Sequence, residues 1–387
     1  MRIVKRIYFD NAATTPVDPE VAAAMQPFLG GDFGNPSSVH ESGQRARAAL
    51  DDARDEVAAL IGASSSEIVF TSGGTESNNL ALFGLAHAPS RDPRRDRIIT
   101  TAVEHHSVLD TCAALERRGF RVARVPVDSA GLVDPAQVLE AVDDSTLLVS
   151  VMLANNEVGT IEPVPEIARA CRARGVPVHT DAVQAAGKIA VDVQALGVDL
   201  LSLSAHKFCG PKGAGALFVR SGVEIEPIIF GGGQESGRRS GTENVAGIAG
   251  LGAAARIART EMAARLERTR HLRDRLLEYV PRVVNGVKVT GHPEKRLPGI
   301  ASFLVEGVEG ESLLVALDLE GIAASSGSAC SLGALEPSHV LAAMGFSPSQ
   351  ARSHLRLSVG HQNTEEEVER FLQVLPPLVR RLRSLTP

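Results

Sequence analysis

Lys207 lies in "LLSLSAHKFCGPKG" (200–213), where an apolar run delivers Ser204, His206 and Lys207 to its end before Gly210–Pro211 turns the chain. A lysine at such a strand end can be desolvated, which depresses its pKa and frees the amine for imine chemistry. An ordinary surface lysine fits the same stretch. In "PVHTDAVQAAGK" (177–188), Asp181 follows another apolar run and Gln184 comes three residues later. A carboxylate placed there needs a buried cationic partner, and a pyridinium nitrogen would supply one. Asp181 as the cap of a helix starting at Ala182 is an equal alternative.

Other strand ends add to the set. "VFTSGGTESNN" (69–79) runs through Ser-Gly-Gly-Thr into a helix. The first helical amides and the Thr75 hydroxyl make a site for one anion. The stretch lacks the Gly-Lys-Ser/Thr of a nucleotide phosphate loop and does not match G-x-G-x-x-G, so a single phosphate fits it better than a dinucleotide. A tight turn capped by Thr75 is the plain alternative. "VEHHSV" (103–108) carries adjacent histidines that point opposite ways in an extended segment, so at most one faces a ligand. A flat imidazole there suits stacking on an aromatic ring. "LANNEVG" (153–159) ends a strand in two carboxamides, and "RRSGTEN" (238–244) offers Arg, Ser and Thr. "HLRLSVG" (354–360) sets Arg356 inside an apolar strand, where a guanidinium requires a carboxylate or phosphate partner. Each signal is modest. Together, a phosphate loop, a ring partner, an imine lysine and a carboxylate-binding arginine describe pyridoxal phosphate acting on an amino acid.

One residue stands apart. Cys330 lies in "AASSGSACSLGALEPSH" (323–339), among serines and glycines that pack poorly. Buried structural cysteines behave as small hydrophobes and prefer apolar surroundings. This one reads as a thiol presented on an exposed loop. On this stretch alone, a polar loop with an incidental cysteine is the simpler view. Cys112 and Cys171 fall in helical patterns and read as filler, and Cys209 reads as packing.

The elements needed to position these residues are visible. Apolar strands at 67–72, 96–103 and 146–154 are followed by helical patterns, the last of them at 163–175 with Pro near its start and Gly at its end. "VPVHTDA", "DLLSLSA" and "GALFVR" are further strands. Helices between short, continuously apolar strands predict a mainly parallel sheet covered on both faces. From about residue 243 a long helical pattern runs from apolar to charged, which marks a boundary near residue 258. The expected division is 16–258 as a large domain, with 1–15 and 259–387 as a smaller one carrying the cysteine loop (about 323–337). Prolines 376 and 377 are a place where the terminal amphipathic helix is expected to split.

Bulk properties agree with a two-domain globular protein. The chain has 387 residues, 44% hydrophobic and 22% charged, with a net charge of -6. Neither the charge nor the 4% aromatic content suggests nucleic-acid binding. "RDPRRDR" (91–97) reads as a solvated loop. No apolar run suggests a signal peptide or a membrane span. Four scattered cysteines argue against a disulfide framework and a structural zinc site, so a reducing cytoplasm and no metal site are expected.

Taken in order, "YFDNAATTPVDP" (8–19), "FGNPSSVH", "FTSGGTESNN", "EHHSVLDTC", "ANNEVG", "HTDAVQAAGK", "SAHKFCGPKG", "RSGTEN", "SSGSAC" and "LRLSVG" resemble the cysteine desulfurases, in the branch of the iron–sulfur-cluster and nitrogen-fixation enzymes. The resemblance runs nearly end to end. It implies the type I pyridoxal-phosphate fold, α/β, working as a homodimer. Lys207 would hold the cofactor covalently, Asp181 would pair with its ring nitrogen and Gln184 with its ring hydroxyl. His105 would stack on the ring and help move a proton. Gly74, Thr75, Ser204 and His206 would hold the phosphate, with Thr242 reaching across from a partner subunit. Asn156 and Arg356 would take the carboxylate of L-cysteine, and Asn11 would line the entrance. Lys207 would remove the substrate Cα proton. Cys330 would then attack the substrate sulfur, keep it as a persulfide, and release alanine. The sulfur would pass to an iron–sulfur scaffold or another acceptor protein, and Cys330 could contact a nascent cluster there. Two departures from the family are Ala205, where glycine is common, and an ending at "RLRSLTP" without the tail some members use for docking. Another enzyme of the same fold, such as a selenocysteine lyase, an aminotransferase or a kynureninase-like hydrolase, is the competing expectation, and a non-catalytic assembly partner is a more distant one.

Overall fold

The computed structural model describes residues 6–327 and 337–385. Cys330 and most of its loop lie outside the described residues. Seven strands form the main sheet: β2 (Ile68–Thr71), β3 (Arg97–Thr101), β4 (Arg121–Val125), β5 (Thr146–Ser150), β6 (Val178–Asp181), β7 (Leu200–Ser204) and β8 (Gly215–Val219). They follow β1 (Ile7–Tyr8) in the chain and lie in the order β2-β8-β7-β6-β5-β3-β4. All neighbours are parallel except β8, which runs against both β2 and β7. The reversal is local: the chain leaves β7, makes a single turn at Ala205–Lys207 and returns alongside it. Strands β5 to β8 are buried throughout. That burial is why they read as unbroken apolar runs, the mark of a sheet covered by helices on both faces.

Four more strands follow. Strands β9 (Val287–Val289), β10 (Ile300–Val305) and β12 (His354–Ser358) form an antiparallel sheet with β10 central, while β11 (Ile322–Ala323) pairs with β1. These strands share a second apolar core with the terminal helix Glu365–Arg383. The helix Val245–Val283 joins the two cores. Its buried residues up to Ala258 pack with the main sheet, and Leu272, Leu276 and Val280 pack with the second core.

One sequence expectation fails here. Pro376 and Pro377 do not split the last helix, which is continuous from Glu365 to Arg383. Each proline removes a helical N–H bond, at a cost of ~3 kcal/mol or more. Phe371, Leu375 and Val379 anchor the helix on both sides of the prolines by burial in the second core, and a fully buried apolar side chain contributes about 1.5–3 kcal/mol. An apolar face that continues past the break outweighs the local signal.

Candidate active site

The carboxyl ends of the parallel strands open into a cavity of about 340 Å³, the place where open α/β sheets hold ligands. Its wall brings together Gly74, Thr75, His105, Asn156, Asp181, Gln184, Ser204, His206, Lys207 and Arg356. A larger recess of about 860 Å³ lies over the second core and contains none of the candidate residues. Volume alone therefore does not locate the chemistry; convergent polar groups do.

Lys207 reaches the cavity from the turn after β7. Its Nζ donates to the carbonyls of Ala12 and Ala13, both at 2.8 Å. The N-terminal segment is in turn laced to this turn: the Thr15 hydroxyl and amide both donate to His206 O at 2.9 Å, and Cys209 N donates to Thr15 Oγ1 at 2.8 Å. His206 Nδ1 lies 3.1 Å from Thr14 Oγ1. Burial lowers the His206 pKa to about 4, with Lys207, Lys212 and Lys188 adding to the effect. Ser204 is buried at the end of β7.

Asp181 ends β6 and is 5% exposed. Its Oδ1 accepts from Val183 N at 2.9 Å and its Oδ2 from Asn78 Nδ2 at 2.7 Å. Residues 183–188 form turns rather than a helix, so Asp181 caps a turn and still faces the cavity. Among the described residues it makes no ion pair, although a carboxylate can accept about four hydrogen bonds. Asn78 Nδ2 also donates to Ser107 Oγ at 2.8 Å, and Ser107 Oγ lies 2.7 Å from His105 Nδ1. His105 precedes the helix His106–Glu116 and caps it, its Nδ1 accepting from Ser107 N at 3.1 Å. That bond leaves the ring proton on Nε2. Burial lowers the His105 pKa; Asp181 opposes this and Lys207 reinforces it. His106 is exposed and turns away to face His339, with ring centres 4.7 Å apart.

Gly74 opens the helix Gly74–Ala86 after β2. A Cβ on Gly74 would come 2.6 Å from Val183 Cγ2, so the bare backbone is what lets the helix start approach the cavity floor. Such a start presents amides to an anion. On the opposite wall, Arg356 of β12 is 3% exposed; it donates from Nη2 to Asp10 Oδ1 and from Nη1 to Asn156 O, both at 2.8 Å. Asp10 is the carboxylate partner that the buried guanidinium required. Arg356 Nε and Asn78 Oδ1 remain buried without a hydrogen-bond partner among the described residues. Asn155 builds the turn that carries Asn156, its Oδ1 accepting from Glu157 N and Val158 N.

Two predicted residues lie elsewhere. Asn11 donates to Ser358 O at 2.8 Å and borders a separate, smaller cavity. Thr242 is exposed and is not on the cavity wall of this chain. Sequence reasoning passed over Asn78, Ser107, Glu104 and the Ala12–Ala13 carbonyls. Asn78 stands four residues after Gly74, hence on the same helical face, and that spacing is a usable signal. The carbonyls belong to the backbone and leave no mark in residue type.

The donor set fits pyridoxal phosphate. A helix start with its amides turned to the cavity faces a buried carboxylate that, among the described residues, has no cation partner, with a lysine amine nearby and orphaned polar atoms around them. The class-V aminotransferase family profile matches residues 7–371. The cysteine desulfurase IscS of Dictyoglomus turgidum is 48% identical over 99% of this chain and 97% of its own length. A solved NifS-like protein superposes with a TM-score of 0.91 at 41% identity, covering 97% of this chain and 100% of that one. SspA, solved in complex with cysteine, gives a TM-score of 0.81 at 36% identity over 92% of this chain and 100% of its own. With strand ends, cavity and full-length similarity all in agreement, the chain belongs to the cysteine desulfurases of the class-V aminotransferase family.

Proposed function

We propose that this enzyme binds pyridoxal phosphate in the 340 Å³ cavity, takes sulfur from L-cysteine onto Cys330 and releases alanine. When bound, the cofactor supplies an electron-withdrawing ring that accepts the electron pair left as the substrate Cα gives up its proton. Lys207 would be the attachment point, and its Nζ would act as the base for that proton. Asp181 would pair with the ring nitrogen and keep it protonated, with its carboxylate held in place by Asn78 and Val183. Gly74, Thr75, Ser204 and His206 hold the phosphate. His105, oriented by Ser107 and carrying its proton at Nε2, would stack on the ring. Asn156 and Arg356 hold the substrate carboxylate. Cys330 thiolate attacks the substrate sulfur, and the carbon–sulfur bond breaks. The bonding pair stays with carbon, which takes up a proton. Sulfur is oxidised to the persulfide level and carbon is reduced, so no outside oxidant is needed.

One observation carries this reading: the imine lysine, the cation-seeking aspartate, the anion loop and Arg356 share a wall with Gly327, three residues before Cys330. Three residues span at most about 11 Å, a short tether for a reacting thiol. The reading extends to a cytoplasmic homodimer serving an iron–sulfur scaffold or another sulfur acceptor. Exposed Leu29, Phe33, Val39 and Phe230 support a second copy, as does Thr242 lying outside this chain's own cavity. The domain division at residue 258 belongs to the same proposal and is supported by the change of core along the helix Val245–Val283. The test is to load the purified protein with pyridoxal phosphate and add L-cysteine under reductant. Alanine and sulfide in equal amounts are expected, and Cys330→Ala should keep the cofactor and bind cysteine without turnover. Turnover of cysteine at the normal rate by Cys330→Ala would refute the reading.

A further inference from the structure

Lys188 has no part in the chemistry above, yet it touches the site. It borders a second cavity of about 70 Å³, whose wall also includes Asn11, Cys209 and His361. Lys207 borders both cavities. Part of the Lys188 stem is open to solvent while its ammonium is enclosed. From there Nζ donates to Gln184 Oε1 at 2.7 Å. Gln184 Nε2 donates to Ala12 O at 2.8 Å, the carbonyl that also receives Lys207 Nζ.

A carboxamide has one acceptor oxygen and two N–H donors. Lys188 occupies the oxygen and Ala12 occupies one N–H. A flipped amide would face oxygen against oxygen and N–H against ammonium, so the orientation is fixed from both ends. The second N–H is the one available to the larger cavity, whose wall includes Gln184. A hydrogen bond assisted by charge is roughly twice as strong as a neutral one, and a donor chain behind an amide polarises it.

We propose that Lys188 is a positioning residue, aiming the free Gln184 N–H at the ring hydroxyl of the bound cofactor and strengthening it as a donor. The inference rests on the reading that the cavity holds pyridoxal phosphate. Burial lowers the Lys188 pKa to about 7; Lys207 and Arg356 act in the same direction and Cys209 opposes them. Both protonation states of the amine retain an N–H for Gln184.

The test is a pH titration of the visible absorbance of the loaded enzyme. A weaker donor leaves the ring hydroxyl holding its proton to higher pH. Lys188→Met is therefore expected to raise the midpoint by about one pH unit. Lys188→Arg restores it, which relief of a packing defect alone would not do. Gln184→Met raises the midpoint as well, and adding Lys188→Met to it moves the midpoint no further. A wild-type midpoint in Lys188→Met overturns the proposal. So do shifts that add in the double variant, since Lys188 would then act on the ring directly. Failure of the wild type to take up pyridoxal phosphate would instead refute the cavity reading itself, so the two failures are distinguishable.

Discussion

Ser338 donates its hydroxyl to Glu157 Oε2 at 2.5 Å, and a Cβ placed on Gly327 would meet the same oxygen at 2.9 Å. One buried carboxylate thus stands against both ends of the stretch that holds Cys330. Gly327 has φ of +80°, a conformation open to glycine, and Ser325 is bonded through its backbone to Arg356 in both directions. Glu157 follows directly after Asn156. The turn that presents a carboxamide to the cavity therefore also fixes where the cysteine stretch leaves and returns. Glu157→Ala should leave cysteine affinity within a few-fold of wild type and slow persulfide formation about 10- to 100-fold. Glu157→Gln, which keeps an acceptor for Ser338, should recover most of the rate. Single-turnover persulfide kinetics with a parallel binding titration check this. Equal rates in Glu157→Ala and wild type would remove the role.

Glu104 links the site to stability. It is fully buried, and its Oε1 accepts from Thr101 Oγ1 at 2.7 Å and Met152 N at 2.9 Å, while Oε2 has no hydrogen-bond partner among the described residues. Burial pushes its pKa up to about 8 from 4.5; those two bonds oppose the shift, and Asp181 and Glu162 add to it. Between these values the folded protein keeps a proton that the unfolded chain has lost. Stability from this group therefore falls as pH rises from about 4.5 to 8 and is flat on either side. Glu104→Gln carries no such proton. Urea unfolding of both proteins at pH 5, 6.5 and 8 should show the variant gaining on wild type by about 1.4 kcal/mol per pH unit. Parallel profiles would contradict the neutral buried acid.

Gly74→Ala tests the anion loop by crowding. The new methyl would lie 2.6 Å from Val183 Cγ2 and 3.7 Å from Ser204 Cβ. Val183 must turn or the helix start must shift, and Val183 also borders the cavity. The expected destabilisation is ~1–3 kcal/mol, the usual range for overpacking. Pyridoxal-phosphate affinity should fall by about tenfold or more. Calorimetry of the cofactor-free protein gives the first quantity and equilibrium loading the second. An unchanged affinity would mean that the loop does not hold the phosphate.

Most of the candidate site was legible in the sequence because its residues sit where strands end. The apolar runs that mark β2, β3, β5, β6 and β7 also mark where the cavity opens, so Thr75, His105, Asn156, Asp181 and Lys207 could be gathered at one wall by position. Whether Asp181 caps or pairs could not be read from sequence; Asn78, on the helix that follows β2, approaches its second oxygen. Glu157 and Lys188 stayed hidden because their partners, Ser338 and Gln184, become partners only after folding. Asn11 was read toward the substrate entrance, but its amide donates to the end of β12. The uninterrupted terminal helix shows the same lesson in reverse: two prolines are a strong local signal, and the second core overrules it.

The central claim is that sulfur leaves L-cysteine by transfer to one thiol. The direct measurement is mass spectrometry of the loaded enzyme after a single turnover with L-cysteine, with peptide mapping of all four cysteines. The account predicts the added mass of one sulfur atom on the peptide containing Cys330, removed by reductant and absent when L-cysteine is omitted. Alanine released with no added sulfur on Cys330, or sulfur found instead on Cys112, Cys171 or Cys209, would contradict it.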